Sequence, residues 1–208
     1  MARNLSPKCK ICRRVNQKLF LRGERCLTSK CALLRKPYPP GAHKRIQKLT
    51  EYGKQLTEKQ KVKRIYGVLE NQFRNYVRKA IAKAGDSRGN LLKLLEARLD
   101  NIVFQCGIVS SRNAARQVVR HGHIEVNNQK VDIPSFQVKV GDIITFSEKF
   151  KKTKLFENNK IMLGKKEVPV WLSLDLDKMI IKVVDWPKTE ESIDLLSSLG
   201  TVIDFYSR

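Results

Sequence analysis

The sequence predicts an α+β protein: helices first, then a small antiparallel sheet, with a cysteine-rich metal knuckle in front. Three observations predict it. Apolar residues recur at three- and four-residue steps from 55 to 84 and again from 90 to 107, the period of amphipathic helices. From 124 to 146 they alternate with polar residues, the period of strands. Four cysteines, Cys9, Cys12, Cys26 and Cys31, form two close pairs separated by a loop.

Two cysteines with two residues between them turn both sulfurs toward one centre, and a second pair after such a loop closes a tetrahedral four-cysteine site. Lys8, Lys10, Arg13, Arg14, Lys18, Arg22, Arg25 and Lys30 surround them. A stretch with so few large apolar residues and so much like charge builds no core, which makes a metal the folding device. Zinc is the first choice; an iron–sulfur cluster uses the same four thiolates. Disulfides are disfavoured because no apolar signal segment opens the chain. Cys106 lies on an apolar helical face and reads as core. Pro37, Pro39, Pro40 and Gly41 then break the chain as an extended linker.

From Gln55 to Ala84 the pattern predicts one long helix. Thr57 and Gln60 make its capping box, and Val62, Ile65, Tyr66, Leu69, Phe73, Tyr76, Val77 and Ile81 make its apolar stripe. Lys63, Arg64, Arg74 and Arg78 fall off that stripe. Gly67 marks a bend or a close approach of backbone to a partner, and Gly85 ends the helix. Asn90 caps a further helix whose face carries Leu92, Leu95, Leu99, Ile102, Val103 and Cys106, ended by Gly107. These breaks give a knuckle and Pro-rich linker over 1–43, a helical domain from 44 to 90, and an α+β module over 91–184.

Within that module, residues 110–124 hold the densest chemistry. Ser110 or Ser111 caps a short helix and Gly122 ends it. Ala115, Val118 and Val119 form its apolar face, while Arg112, Arg116 and Arg120 recur every fourth residue on another. Ile124, Val126, Val131 and Ile133 alternate across Asn127-Asn128 as a hairpin. Phe136, Val138 and Val140, then Ile143 to Phe146, read as strands on either side of a turn at Gly141-Asp142. Two more strands follow at 171–175 and 180–184. A helix start, three stacked guanidiniums and a hairpin make a compact surface for phosphate oxygens.

Net charge weighs in the same direction. The 208 residues carry a formal +22, from 42 Lys and Arg against 20 Asp and Glu, far beyond what solubility asks. Residues 1–83 hold 23 basic and 4 acidic side chains, whereas residues 167–208 hold 4 and 8. Hydrophobic residues make up 41%, which excludes wholesale disorder. No apolar run of membrane-spanning length occurs, and no lipidation motif or aromatic insertion edge favours a membrane surface, so nucleic acid is the expected partner of a cytosolic protein. No Ser/His/Asp set, phosphate loop or paired carboxylates appear. Asp100, Asp132 and Asp142 sit at a helix end or turns, where capping explains them. An RNA-modifying enzyme would need a catalytic domain, and a helix-turn-helix regulator a dimer face; neither is evident.

Several stretches resemble the family of small-subunit ribosomal protein four, of the bacterial type. Residues 55–76 look like that family's long signature helix. Glu96-Ala-Arg-Leu-Asp-Asn101 with Ser110 to Asn127 is similar to its RNA-binding module, with Asn127-Asn128 where the family often has Asn-Gly. The four cysteines match the metal-binding version of its N-terminus, and Asp204 to Arg208 is like its usual ending. The resemblance implies that residues 185–208 return to complete the helical domain, so that the RNA-binding module is inserted. It also implies a structural, non-enzymatic component of a cytoplasmic or organellar small ribosomal subunit, with no small-molecule substrate. Such a protein grips a multi-helix junction of small-subunit rRNA, nucleates assembly, and contributes to translational accuracy. Its other implied partners are neighbouring small-subunit proteins and mRNA near the channel through which it enters. Pattern and resemblance together single out Arg3, Lys8, Lys10, Arg13, Arg14, Lys18, Arg22, Arg25, Lys30, Arg35, Lys36, Lys44, Arg45, Lys59, Lys63, Arg64, Arg74, Arg78, Ser110, Ser111, Arg112, Arg116, Arg120, His121 and Asn127 for RNA. Cys9, Cys12, Cys26 and Cys31 are assigned to one structural zinc.

Overall fold

The computed structural model describes residues 6–42, 48–154, 156–157, 168–175, 178–187 and 193–207, with side chains in the last span from 196 onward. In chain order the helices and strands are α1 (Lys8–Val15), α2 (Ala32–Arg35), α3 (Glu51–Ile65), α4 (Glu70–Ala82), α5 (Ser87–Glu96), α6 (Leu99–Gln105), α7 (Arg112–Arg120), β1 (Ile124–Val126), β2 (Gln129–Lys130), β3 (Ile143–Phe146), α8 (Glu148–Lys151), β4 (Leu172–Asp175), β5 (Ile180–Val183) and α9 (Ile193–Tyr206). They fall into two compact units, 1–91 with 192–208, and 92–191. No described helix is long and apolar enough to cross a membrane.

In the first unit, the single helix predicted over 55–84 is two. Gly67 takes φ +63° just past α3. The Val68 N–H reaches back to the Lys63 carbonyl at 3.0 Å while the Val68 side chain is buried, a left-handed helix stop that only a residue without Cβ adopts cheaply. The capping box at Thr57 also yields. Thr50 is the cap, its hydroxyl accepting from the Gly53 N–H at 3.2 Å, and Thr57 sits mid-helix donating to the Gly53 carbonyl. Val62, Tyr66, Phe73, Tyr76 and Val77 are buried as the stripe requires, whereas Leu69 and Ile81 are exposed. Asn90 does not cap the next helix. Its amide donates to the carbonyls of Ala80, Lys83 and Ala84 at the end of α4, and Asp86 caps α5 through the N–H groups of Arg88 and Gly89.

The C-terminal α9 packs along α3, with Leu199 and Val202 buried, Tyr52 against Phe205, and Phe73 against Tyr206. One carboxylate fastens these helices. Glu70 accepts from Lys59 at 2.8 Å, Lys63 at 2.6 Å and the Tyr206 hydroxyl at 2.7 Å.

In the second unit five strands form one antiparallel sheet in the order β2-β1-β3-β5-β4. Asn127 and Asn128 both take positive φ, 50° and 63°, the turn a two-residue hairpin needs. Ile124, Val126, Ile144, Phe146, Ile181 and Val183 point inward onto a core shared with Leu99, Ile102, Val103, Ala115, Val118 and Val119. Three expectations are corrected. Residues 136–140 join no strand of this sheet; Val138 donates to Ala97 and Leu99 to Phe136, so the segment pairs with the link between α5 and α6. That pairing also breaks the helix predicted over 90–107 into α5 and α6. Ile133, expected to face inward, is half exposed beyond the end of β2.

Burial alone would push the Glu70 carboxyl up, but the hydrogen bonds from Lys59, Lys63 and Tyr206 outweigh it and hold its pKa at about 2 instead of 4.5. A depressed carboxylate pKa lends stability that is complete above the ordinary value and is lost as pH falls toward the folded one. The melting temperature of wild type should therefore exceed that of Glu70→Gln by a constant margin near neutrality, with the margin closing between pH 4.5 and about 2. A margin that persists at the acid end would assign the effect to packing, not charge.

Candidate nucleic-acid interface

α7 begins as predicted at a serine. The Ser111 hydroxyl accepts from the Ala114 N–H at 3.3 Å, and Ser110 is exposed just before it. Gly122 ends the helix with φ +68°, where a Cβ would also collide with the Lys130 side chain. With Ala115, Val118 and Val119 buried, the helix turns its arginine face outward. Arg120 and His121 are exposed and Arg116 is half-buried.

Arg112 is held in place by a buried polar cluster. Its Nε donates to the Asn101 Oδ1 at 2.8 Å and its guanidinium lies 4.5 Å over the Phe104 ring. The Asn101 amide in turn donates to the Glu96 carbonyl and to its carboxylate at 2.6 Å, and Gln105 donates to that same carboxylate. Beside them Arg98 and Asp100 form a bidentate pair at 3.0 and 2.7 Å, with side chains only 0% and 5% exposed. Asp100, read from sequence as a helix-end cap, is this buried partner. The signal for the cluster was present: Glu96, Arg98, Asp100 and Asn101 are polar residues in an otherwise apolar run.

Beyond the helix, His121 stacks on His123 at 6.0 Å, and His123 on Phe150 at 5.1 Å. Burial first, then the charges of His121 and Lys130, pull the His123 pKa below its ordinary value. Asn127 is exposed, but its side chain works internally: Nδ2 donates to Asp142 at 2.9 Å and Oδ1 accepts from the Ile143 N–H at 3.0 Å. It locks the hairpin to the start of β3.

In the first unit the predicted cations separate into two kinds. Lys10, Arg14, Lys18, Arg22, Arg25, Lys30, Arg35, Lys36, Arg74 and Arg78 are exposed, and Lys8 is half-buried. Others face inward. Lys59 is buried on Glu70 with its ammonium 4.7 Å over the Phe205 ring, and Lys63 is held by the same carboxylate. Arg13 donates to the carbonyls of Lys36, Tyr38 and Pro39 and lies over the Tyr38 ring, tying the Pro-rich linker to α1. Arg64 is half-buried. Arg3, Lys44 and Arg45 lie outside the described residues, as does His43.

Cys12, Cys26 and Cys31 are buried and Cys9 half-buried, and all four line one cavity of about 20 Å³ with Leu21, Ala32 and Leu33. That volume suits a single small occupant. Burial raises the Cys12 pKa first, and the neighbouring Cys26, Cys9 and Cys31 raise it further against a hydrogen bond from Leu19. Among the described residues, no three His, Cys, Asp or Glu side chains are gathered as a formed metal site. The donor set fits a thiophilic metal: four thiols on one apolar hollow, with Lys8, Arg22 and Arg25 at its edge to offset thiolate charge. Cys106 is fully buried in the other unit's core.

Residues 3–96 match the model of the Ribosomal protein S4/S9 N-terminal domain and residues 97–144 that of the S4 domain. Over the full length of both chains, the sequence is 49% identical to the small ribosomal subunit protein uS4 of Thermotoga petrophila. It is 48% identical, again over full length, to the proteins of that name from Acetivibrio thermocellus and Heliobacterium modesticaldum. The chain belongs to the uS4 family. In uS4 terms, the S4 domain match takes in α6, α7, β1, β2 and the start of β3, and therefore the Arg98–Asp100 pair, Arg112 and the arginine face. The N-terminal match takes in the four cysteines and α1 to α5. Strands β4 and β5, which complete the sheet, fall outside both matches.

Removing one member of a buried ion pair strands the other charge, which costs about 3–5 kcal/mol. Arg98→Ala should accordingly destabilise the protein on that scale in denaturant titrations. A loss below about 1 kcal/mol would mean that the pair behaves like an exposed one.

Proposed function

We propose that this protein is a structural, non-enzymatic part of the small subunit of a cytoplasmic ribosome and binds small-subunit rRNA directly. The single observation that carries the reading is end-to-end similarity to proteins named small ribosomal subunit protein uS4. The surface chemistry supports it. Phosphates are met by outward cations at separations fixed by folded helices, so a folded junction is selected over a plain duplex. Arg120 and Arg116 lie on a helix whose orientation is set by its buried face and by Arg112's anchor on Asn101. Early assembly, an influence on decoding accuracy, and contact with neighbouring proteins and with incoming mRNA belong to the same reading.

Co-sedimentation with small subunits after a high-salt wash tests the assignment, and rRNA titrations at several salt concentrations test the mechanism. Each phosphate neutralised contributes about 0.9 to the log–log salt slope on duplex, less on single strands. Arg120→Ala should flatten the slope by about one without moving the melting temperature, because Arg120 is exposed. Arg112→Ala should lower affinity and melting temperature together, since it frees Asn101 and Phe104. An unchanged slope in both variants would take α7 out of the interface.

The proposal includes one structural zinc on Cys9, Cys12, Cys26 and Cys31. When bound it supplies the folding energy that this charged segment lacks, and the thiols must be deprotonated to hold it. Protein purified under reducing conditions should contain about one zinc per chain, and a chelator should expose four thiols to an alkylating reagent while Cys106 stays protected. Rapid alkylation of all four in freshly purified protein would argue against the metal.

A further inference from the structure

Gly122 does more than end α7. Its φ is +68°, and a Cβ added there would collide with Cε of Lys130, 2.8 Å from its Nζ and 3.6 Å from its Cδ. The outer stem and ammonium of Lys130 therefore cross directly over the glycine. Lys130 belongs to β2, so this contact joins the far strand of the hairpin to the end of the preceding helix.

Lys130 has a closer partner in register. It stands opposite Glu125 on β1, and opposite charges facing each other across an antiparallel pair attract. Yet among the described residues no ion pair joins the two. The lysine passes its carboxylate and goes to the helix end, and the backbone there explains why. The N–H groups of His121, Gly122 and His123 turn back to the carbonyls of Gln117, Val119 and Val118. The last carbonyls of the helix point onward, an end of partial negative charge that favours a cation. Burial first, then the charge of His121, then that of Lys130 lower the pKa of His123, the next residue along.

The contact matters because packing does not replace it. β2 is two exposed residues that add nothing to the core, so the core does not set its angle to α7. Asn127 ties the other end of the hairpin to β3.

We propose that Lys130 is a positioning residue and not an RNA contact: its stem, laid over Gly122 to the C-terminal end of α7, fixes the β1–β2 hairpin against the helix that carries Arg112, Arg116 and Arg120. Hairpin and arginine face then meet RNA as one surface. Glycine at 122 is needed twice, for its backbone and for the room it leaves the lysine. The part in recognition rests on the RNA-binding reading above; the contact itself does not.

The test compares full-length wild type with Lys130→Met, Lys130→Ala and Gly122→Ala. Lys130→Met keeps the stem and removes the charge. In an NMR titration its His123 should show a pKa raised toward the ordinary value. Its melting temperature should fall by about 2 °C, the scale of one cation at a helix end. Its affinity for small-subunit rRNA should drop about threefold at an unchanged salt slope, since no phosphate contact is lost. Gly122→Ala should lower the melting temperature less in a Lys130→Ala background than in wild type, because truncation clears the collision and leaves only the strained φ.

Equal losses in the two backgrounds would overturn the proposal, by showing a lysine that swings clear of the glycine. An unmoved His123 pKa would do the same. A salt slope flattened by about one in Lys130→Met would make the residue a phosphate contact. Wild-type rRNA affinity in Lys130→Met, with His123 shifted, would confine the lysine to stability and overturn its part in recognition. Failure of wild type itself to bind rRNA would instead remove the reading on which that part rests.

Discussion

Repulsion among like charges is the constraint from which the rest of this molecule follows. A chain of formal charge +22 has few carboxylates to place, and in the first unit one of them, Glu70, is the fastening. Glu70 gathers Lys59, Lys63 and Tyr206 at the junction of α3, α4 and α9. In the second unit Glu96 and Asp100 sit inside, orienting Asn101 and pairing with Arg98. With those anions committed, the cations that face outward far outnumber the carboxylates left to them, and the surface is electrostatically incomplete until a polyanion binds. The same arrangement accounts for the salt sensitivity expected of such binding.

This division separates residues that look alike in the sequence. Lys59, Lys63 and Arg13 share the composition and spacing of Lys18, Arg74 and Arg78. Yet the first three are held by a carboxylate, by aromatic rings or by backbone carbonyls, and the others are solvated. The deciding partners lie beyond the helical turn in which each cation sits: Glu70 on the next helix for Lys59 and Lys63, the Pro-rich linker for Arg13. Asn127 misleads in the same way. Its left-handed turn was legible in the Asn-Asn dipeptide, but its engagement with Asp142 and Ile143 required the third strand.

Periodicity carried most of the fold. The burial of Val62, Phe73, Tyr76, Val77, Leu95, Leu99, Ile102 and Val119 follows from spacing alone. Boundaries were less legible where tertiary pairing overrode a local signal. The apolar stripe runs unbroken through Gly67, and only the backbone turn there, sealed by Val68, divides α3 from α4. Alternation at 136–140 is genuine, but its hydrogen bonds go to Ala97 and Leu99, not to a neighbouring strand. A period of two states which side chains share a face. It does not state which backbone they pair with.

The buried polar cluster bears on specificity more than on stability. A pair such as Arg98 and Asp100 gains little over well-packed apolar residues of the same volume, because desolvation offsets the attraction. Its geometry is nevertheless narrow. A bidentate fork fixes the start of α6, Asn101 fixes Arg112 from there, and Arg112 sets the first turn of α7. An apolar replacement would fill the space and leave the rotation of α7 to packing alone, so that its arginine face would meet phosphates over a spread of angles. Recognition by charge at fixed distances tolerates little such spread, since a guanidinium displaced by an ångström or two exchanges a direct hydrogen bond for a water-mediated one. On the role proposed for α7, the interior ion pair serves the interface: it is buried so that the cations outside it are aimed.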